Sequence, residues 1–143
     1  MRRKLLAFSL IVVLASAVSL NAEEKKKGFV GTWVPTEGQL NGEKLPEDFL
    51  KSIKLVIAAD NKYSATAGEQ TETGTFKVDD AKKPTTMDIV PGDGPKKGET
   101  VLAIYEMKGD TMKVCYSLEG KERPKEFTST ADNKHLVFVY KRQ

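Results

Sequence analysis

Residues 101–118, VLAIYEMKGDTMKVCYSL, decide the fold class of this chain, because two apolar-rich segments meet there at Gly109-Asp110. The second segment alternates strictly: apolar side chains occupy the even positions from 112 to 118, and Lys113, Cys115 and Ser117 lie between them. Alternation with a period of two places the two sets on opposite faces of a β-strand. Since Gly-Asp is a common turn dipeptide, residues 101–118 predict an antiparallel hairpin.

The same kind of segment recurs along the chain. Short apolar-rich stretches, separated by Gly, Asn, Asp or Pro, occupy residues 29–34, 53–59, 62–67, 73–78, 86–90, 101–107, 112–118, 126–130 and 136–140. No heptad pattern and no longer repeat accompanies them. Strands of this length and spacing predict an all-β domain built as an antiparallel meander of eight or nine strands.

One segment, LPEDFLKSIK at residues 45–54, has a helical pattern instead. Pro46 suits the first helical position, two acids follow it, and lysines lie toward the other end, as the helix dipole favours. Phe49, Leu50 and Ile53 fall on one face. These residues predict a two-turn helix between the first and second strands, covering one end of the sheet.

Three predicted strands, 29–34, 101–107 and 136–140, carry apolar residues on both faces. In an antiparallel sheet with one solvated face, only the other face of each strand needs apolar residues. A barrel with an apolar interior explains them if the helix and the termini cover strips of its outer face. We therefore expect the meander to close into a small barrel, with a two-sheet sandwich as the alternative.

Residues 1–22 have the pattern of a secretory signal peptide, with a basic start, an apolar run at 5–20 and small residues near its end. Cleavage is expected after Ala22, with Ala17 and Ser19 as alternative sites. An uncleaved membrane anchor is the competing interpretation. We therefore expect export to the periplasm, the cell envelope or the extracellular space, and no membrane span after cleavage. The predicted organisation is signal peptide 1–22, flexible segment 23–28 and barrel domain 29–143.

The charge of the chain gives no reason to expect a nucleic-acid partner. Three of the 23 Lys and Arg lie in the leader, whereas all 20 Asp and Glu follow it, so the mature chain has no formal net charge. One Cys and one His exclude an intrachain disulfide and a multi-thiolate zinc site. We predict no metal and no cofactor, and no protein partner is indicated.

Catalytic patterns are absent from the sequence. His135 follows a turn and has no Gly-x-Ser-x-Gly motif to accompany it, and the loop at 91–98 lacks the spacing of a phosphate-binding or calcium loop. Paired acids at 47–48 and 79–80 fall in a helix start and a turn. We expect no catalytic residues and no enzyme activity. Cys115 is interpreted as a small strand side chain, with an intermolecular disulfide or a reactive thiol as alternatives.

The first predicted strand contains Gly31-Thr32-Trp33, which resembles the Gly-x-Trp opening of lipocalins and related calycins. In those barrels the Trp closes one end, and an Arg near the last strand packs across the indole. Arg142 stands just past segment 136–140, and a guanidinium over an indole is stabilised by cation–π attraction. The resemblance implies that Gly31, Trp33 and Arg142 close one end of the barrel.

Nearly the whole mature chain is similar to an uncharacterised lipocalin-like domain family of planctomycetes and related bacteria. The similarity rests on Gly31-Thr32-Trp33, Asn41-Gly42, Leu45-Pro46, Gly74-Thr75-Phe76, Lys83-Pro84, Met87-Asp88-Ile89, Gly92-Asp93-Gly94-Pro95, Ile104-Tyr105, Gly109-Asp110, Val114-Cys115 and Arg123-Pro124-Lys125-Glu126-Phe127. It implies a small exported β-barrel with no established activity. The disulfides of secreted lipocalins are missing here.

Two functions fit a barrel of this size, and they differ in whether its interior is hollow or filled. A hollow barrel would bind a small apolar or amphipathic molecule, and the expected lining aromatics are Trp33, Phe76, Tyr105, Tyr116 and Phe138. A filled barrel would be a structural or protein-interaction module that acts through loops such as 91–99 and 119–125.

Overall fold

The computed structural model of the protein describes residues 28–119 and 121–143. Their elements are β1 (Gly31–Leu40), β2 (Glu43–Lys44), α1 (Glu47–Lys51), β3 (Ile53–Ile57), β4 (Lys62–Ala67), β5 (Gln70–Asp79), β6 (Thr85–Pro91), β7 (Val101–Lys108), β8 (Thr111–Ser117) and β9 (His135–Arg142). The predicted signal peptide at 1–22 lies outside the described residues, as does the segment 23–28 except for Gly28. In the described part of the chain, no helix is long and apolar enough to cross a membrane.

The strands form one antiparallel sheet that closes on itself. From β3 to β9 each strand pairs with the next, and β1 pairs with both β3 and β9. Trp33 marks the closure, because it is opposite Leu55 of β3 on one side and opposite Arg142 of β9 on the other. The two-residue β2 only extends the end of β1. The predicted antiparallel meander barrel is therefore confirmed, with eight strands in the closed sheet, and the sandwich alternative is wrong.

A short helix lies between the first two long strands, as predicted, but it is shorter than the segment 45–54. Helix α1 ends at Lys51 because Ile53 already pairs with Ala67 at the start of the β3–β4 ladder. Leu50 is buried, whereas Phe49 remains exposed. The helix contacts the ends of β1 and β3, and therefore lies at one end of the barrel.

Period-two alternation divides the apolar side chains between the inside and the outside of the barrel. On β8, Val114 and Tyr116 belong to the interior cluster, whereas Cys115 between them belongs to a second cluster on the outer face. Ile104 and Val137, on the neighbouring strands, are the other buried members of this outer cluster. The apolar residues on both faces of β7, β8 and β9 therefore serve two separate cores.

The outer cluster is covered by the strap, the segment 121–134 between β8 and β9. Phe127 packs against the cluster, with the Lys113 ammonium 5.5 Å from its ring centroid. Residues 126–130 were predicted as a strand and form none, because β8 and β9 pair directly and leave no free edge for another strand. The strap, rather than the helix and the termini as expected, covers this outer apolar strip.

Arg123 fastens the start of the strap to the sheet. Its Nη1 donates hydrogen bonds to the carbonyl oxygens of Met87 (3.2 Å) and Ala103 (2.9 Å), and its Nη2 donates to Asp88 Oδ1. A half-exposed ion pair alone contributes little to stability. The two carbonyl contacts add charge-assisted hydrogen bonds that hold the strap over the outer cluster.

Cys115 is fully buried beneath the strap. Burial raises the pKa of its thiol from the usual 9.0 to about 11, although a contact with the Thr128 carbonyl and the charge of Lys113 act in the opposite direction. Because thiolate is the reactive form, the folded protein presents at pH 8 a thiol that is both inaccessible and protonated. The burial argues against the reactive-thiol alternative.

We predict that Arg123→Ala accelerates the reaction of Cys115 with a thiol reagent such as dithionitrobenzoate by about tenfold or more at pH 8. Loss of the Arg123 hydrogen bonds lets the strap open locally while the barrel stays folded, as the unchanged fluorescence of the single tryptophan would report. The matched control is Lys125→Ala, an exposed position of the same strap. Equal labelling rates in the wild type and both variants would contradict this role of Arg123.

Candidate functional site

The barrel is closed at the end where β1 starts and β9 ends. Trp33 is fully buried there, and the guanidinium carbon of Arg142 lies 4.3 Å from the indole ring centroid. The indole Nε1 donates a 2.9 Å hydrogen bond to the Phe29 carbonyl. Arg142 donates to the carbonyls of Gly28 and Val30, with Nη2 to Gly28 O at 3.0 Å. These contacts draw the chain before β1 across the end of the barrel.

Gly31 is required by this arrangement because of its backbone conformation. Its φ of +139° is a backbone conformation that residues with a side chain rarely adopt. The Arg142 side chain packs over this position, because a Cβ at Gly31 would be in van der Waals contact with it at 3.4 Å. The structure thus brings together Gly31, Trp33 and Arg142, the three residues that the resemblance assigned to closure.

Phe29 completes the closed end from inside. Its ring makes edge-on contacts with Phe76 (5.6 Å between centroids) and Tyr105 (5.2 Å). This aromatic cluster fills the lower part of the barrel. The space that remains in the interior lies above it.

A cavity of about 720 Å³ occupies the upper part of the barrel. It opens between α1, the adjoining ends of β4 and β5 and the loop after β6, since residues of all these parts line it. Its wall is mainly apolar and includes Leu45, Phe49, Ile53, Leu55, Ile57, Ala65, Ala67, Phe76, Met87, Ile89, Val101, Met112, Val114, Leu118, Leu136 and Phe138. An apolar wall around an open space of this size is typical of small-molecule sites.

The five aromatics expected to line a cavity lie at different heights in the barrel. Phe76, Tyr116 and Phe138 are part of the cavity wall. Trp33 lies at the closed end beneath it, and Tyr105 faces a separate shallow depression beside Phe29. Alternation indicates that all five point inward, but it does not indicate how far along the barrel axis each side chain lies.

The polar residues of the cavity wall that were not among the expected lining residues include Tyr63, Glu72 and Tyr140. Tyr63 and Tyr140 follow the alternation of β4 and β9, so their inward direction was readable from the pattern. Glu72 was not, because a carboxylate in a strand is ordinarily placed on the solvent side. Its partner explains it: the Tyr63 hydroxyl donates a 2.9 Å hydrogen bond to Glu72 Oε2.

Gly74 makes the Tyr63–Glu72 contact feasible. A Cβ at Gly74 would lie 2.8 Å from the Tyr63 hydroxyl and 2.4 Å from the Val90 carbonyl oxygen, closer than Cβ atoms approach such neighbours in real proteins. Because Gly74 on β5 has no side chain, the Tyr63 phenol can occupy this position. Small residues on β4, Ala65 and Ala67, leave further space on the same wall.

A second polar pair joins β8 and β9 across the cavity wall. The hydroxyls of Tyr116 and Tyr140 lie 2.8 Å apart. Burial raises the pKa of Tyr116 to about 12, and burial together with the neighbouring Tyr116 raises the pKa of Tyr140 well above its usual value. The pKa of Tyr63 is raised by burial first and then by Glu72. All three phenols are therefore neutral hydrogen-bonding groups at physiological pH.

The other polar motifs form no catalytic constellation in the described residues. The His135 amide donates to Asn133 Oδ1, and its buried Nδ1 has no hydrogen-bond partner among the residues described. No group of three or more His, Cys, Asp and Glu with metal-binding proximity occurs within 28–119 and 121–143. Loop 91–98 instead forms part of the cavity rim: Lys96 lines the opening and donates to the Leu118 carbonyl at 2.8 Å.

Comparison with known proteins supports the fold. No family model and no curated protein sequence matches the chain. The structure is similar to the crystal structure of a DUF4847 family protein from Bacteroides vulgatus, with a TM-score of 0.51 and 11% sequence identity. The match covers 81% of this chain and 94% of that one. At this identity the similarity shows a shared β-barrel fold and carries no function from one protein to the other.

We predict that Arg142→Lys lowers the free energy of unfolding by about 1–3 kcal/mol, because an ammonium cannot stack on Trp33 and bind the carbonyls of the preceding chain at once. Urea unfolding followed by tryptophan fluorescence measures the loss. The control is Lys141→Arg at the exposed neighbouring position, for which we expect a change within about 0.5 kcal/mol. A similar small change for both variants would show that Arg142 does not close the barrel.

Proposed function

We propose that the protein is an exported binding protein that holds a small apolar or amphipathic molecule in the barrel cavity and performs no chemistry on it. The observation that carries this proposal is the open, mainly apolar cavity of about 720 Å³. Ligand sites of small molecules commonly have volumes of about 300–1,000 Å³. Export rests on the signal-peptide pattern of residues 1–22.

The cavity favours this proposal over a barrel that acts only through its outer loops. Leaving interior space unfilled costs stability, because the surrounding side chains lose contacts that a larger neighbour would supply. Ala65 and Ala67 lie in the cavity wall, where longer side chains would fill that space. A barrel selected for packing alone would gain stability by filling it.

Binding would proceed by shape and burial. Each square ångström of apolar ligand surface removed from water contributes roughly 25 cal/mol, so a chain of several methylene groups gains most of its affinity from the wall. The exposed Phe49 on α1 lies beside the opening and would extend the apolar path from solvent into the cavity.

We also propose that the chain belongs with the lipocalin-like exported barrels that it resembles in sequence. The Gly31-Thr32-Trp33 motif and the position of the Arg142 guanidinium over the indole support the assignment. The absence of a matching family model leaves this support at the level of motif and geometry.

We predict that the neutral apolar dye N-phenyl-1-naphthylamine binds the mature protein at one site per chain with increased fluorescence, and that Ala65→Phe weakens its affinity at least tenfold by filling the cavity. Ser64→Phe is the control, because Ser64 precedes Ala65 on the same strand but is not part of the cavity wall. Equal dye affinity in both variants would mean that the dye binds elsewhere.

A further inference from the structure

The polar groups inside the cavity have hydrogen-bonding capacity that the described residues do not use. Tyr116 and Tyr140 carry one hydroxyl hydrogen each, and the single 2.8 Å contact between their oxygens uses one of the two. Whichever phenol donates, the hydroxyl hydrogen of the other has no acceptor among the described residues. Tyr140 is only 4% exposed and Tyr116 is partly buried, so this unused donor has limited access to solvent.

An unused donor in an apolar cavity favours a ligand that carries an acceptor. The surrounding wall includes Met112, Val114 and Phe138, which provide no strong acceptor. Because a buried hydroxyl without a partner is costly, an oxygen atom of the ligand placed beside the tyrosine pair gains more than a methylene group at that position would. A hydrocarbon leaves the donor unused, and an ammonium group offers only further donors.

The charge of the ligand is constrained by Glu72 on the same cavity wall. Glu72 Oε2 accepts from Tyr63, whereas Oε1 has no hydrogen-bond partner in the part of the chain that the structure describes. Lys96 also lines the cavity, but its ammonium donates to the Leu118 carbonyl, and no ion pair between Lys96 and Glu72 occurs among the described residues. The Glu72 carboxylate therefore repels an anionic head group placed beside it, whereas the Lys96 ammonium, which keeps its charge, lies at the rim of the cavity.

We infer that the cavity binds a neutral aliphatic molecule with a hydroxyl group, whose oxygen accepts the unused hydrogen of the Tyr116–Tyr140 pair while its chain fills the apolar wall. This inference rests on the proposed binding function and names the class of ligand for the same site. A hydroxyl can accept from a phenol and donate in return, so it satisfies a site that holds both donors and acceptors. A fatty acid anion, an alkylamine and a hydrocarbon each fail one of these conditions.

The test compares four eight-carbon probes at pH 8 by displacement of N-phenyl-1-naphthylamine: 1-octanol, octane, octanoate and octylamine. We expect octanol to bind roughly 3- to 10-fold more tightly than octane, the difference that one net hydrogen bond supplies. Octanoate should bind more weakly than octanol, and any binding of octylamine should be lost in Glu72→Gln, since an ammonium can pair with that carboxylate but cannot accept the phenol hydrogen. Tighter binding of octanoate or octane than of octanol, or octylamine binding that persists in Glu72→Gln, would overturn the inference.

The double variant Tyr116→Phe/Tyr140→Phe tests whether the preference for octanol over octane comes from the tyrosine pair. Both hydroxyls must be removed, because either one alone can still donate to the ligand. Replacing both partners of a hydrogen bond by apolar groups of the same shape is close to neutral for folding, so the barrel should remain intact. We expect octanol and octane to bind this variant with equal affinity. Tyr105→Phe, outside the cavity wall, is the control and should keep the preference.

Glu72→Gln separates the effect of charge from that of shape. We expect it to strengthen octanoate binding at least threefold while changing the affinity for octanol less than twofold. An unchanged preference for octanol in the double tyrosine variant, or unchanged octanoate affinity in Glu72→Gln, would overturn the inference while leaving ligand binding in place. If no probe displaces the dye and the dye itself does not bind the wild type, the proposed function fails instead.

Discussion

The packing of the Arg142 guanidinium on the buried Trp33 indole is the interaction on which the rest of this barrel depends. It joins the last strand to the first at the place where the sheet closes, and it ties the chain before β1 across that end. Phe29 is thereby held inside the barrel, against Phe76 and Tyr105. With a dense aromatic cluster at one end, the other end can keep an unfilled space without losing the whole core.

The stability lost to an empty interior is offset in part outside the barrel. The strap buries Ile104, Cys115 and Val137 against Phe127, so the same strands that line the cavity also contribute to a second core. A stable core and an open binding cavity compete for the same interior in a small β-protein, and this arrangement assigns them to different faces of the sheet. One core stabilises the fold, while the other remains open to solvent at the cavity mouth.

Much of the fold followed from the alternation of apolar residues. The strand predicted at 62–67 has the observed bounds of β4, and the hairpin around Gly109-Asp110 is found as β7 and β8. Segment 126–130 was misassigned because Phe127 and its neighbours have a strand-like composition, and a strand also needs a free partner edge that β8 and β9 do not offer.

The site was less predictable than the fold, for a physical reason. Whether a barrel is hollow depends on which side chains face one another across its interior, and this is a property of register and strand tilt that a linear pattern does not contain. The space left beside Ala65 and Ala67 becomes apparent only when β4 is placed beside its neighbouring strands. For the same reason Tyr63 and Glu72, nine residues apart, were not recognised as a pair.

The most direct test of this account is a crystal structure determined under xenon pressure. Xenon enters dry apolar cavities without needing polar partners, and therefore detects the space itself rather than any chosen ligand. The account predicts xenon density within the barrel, bounded by Ile57, Phe76 and Val114, above an intact Trp33–Arg142 stack. A barrel interior filled by its own side chains, with no xenon bound, would contradict it.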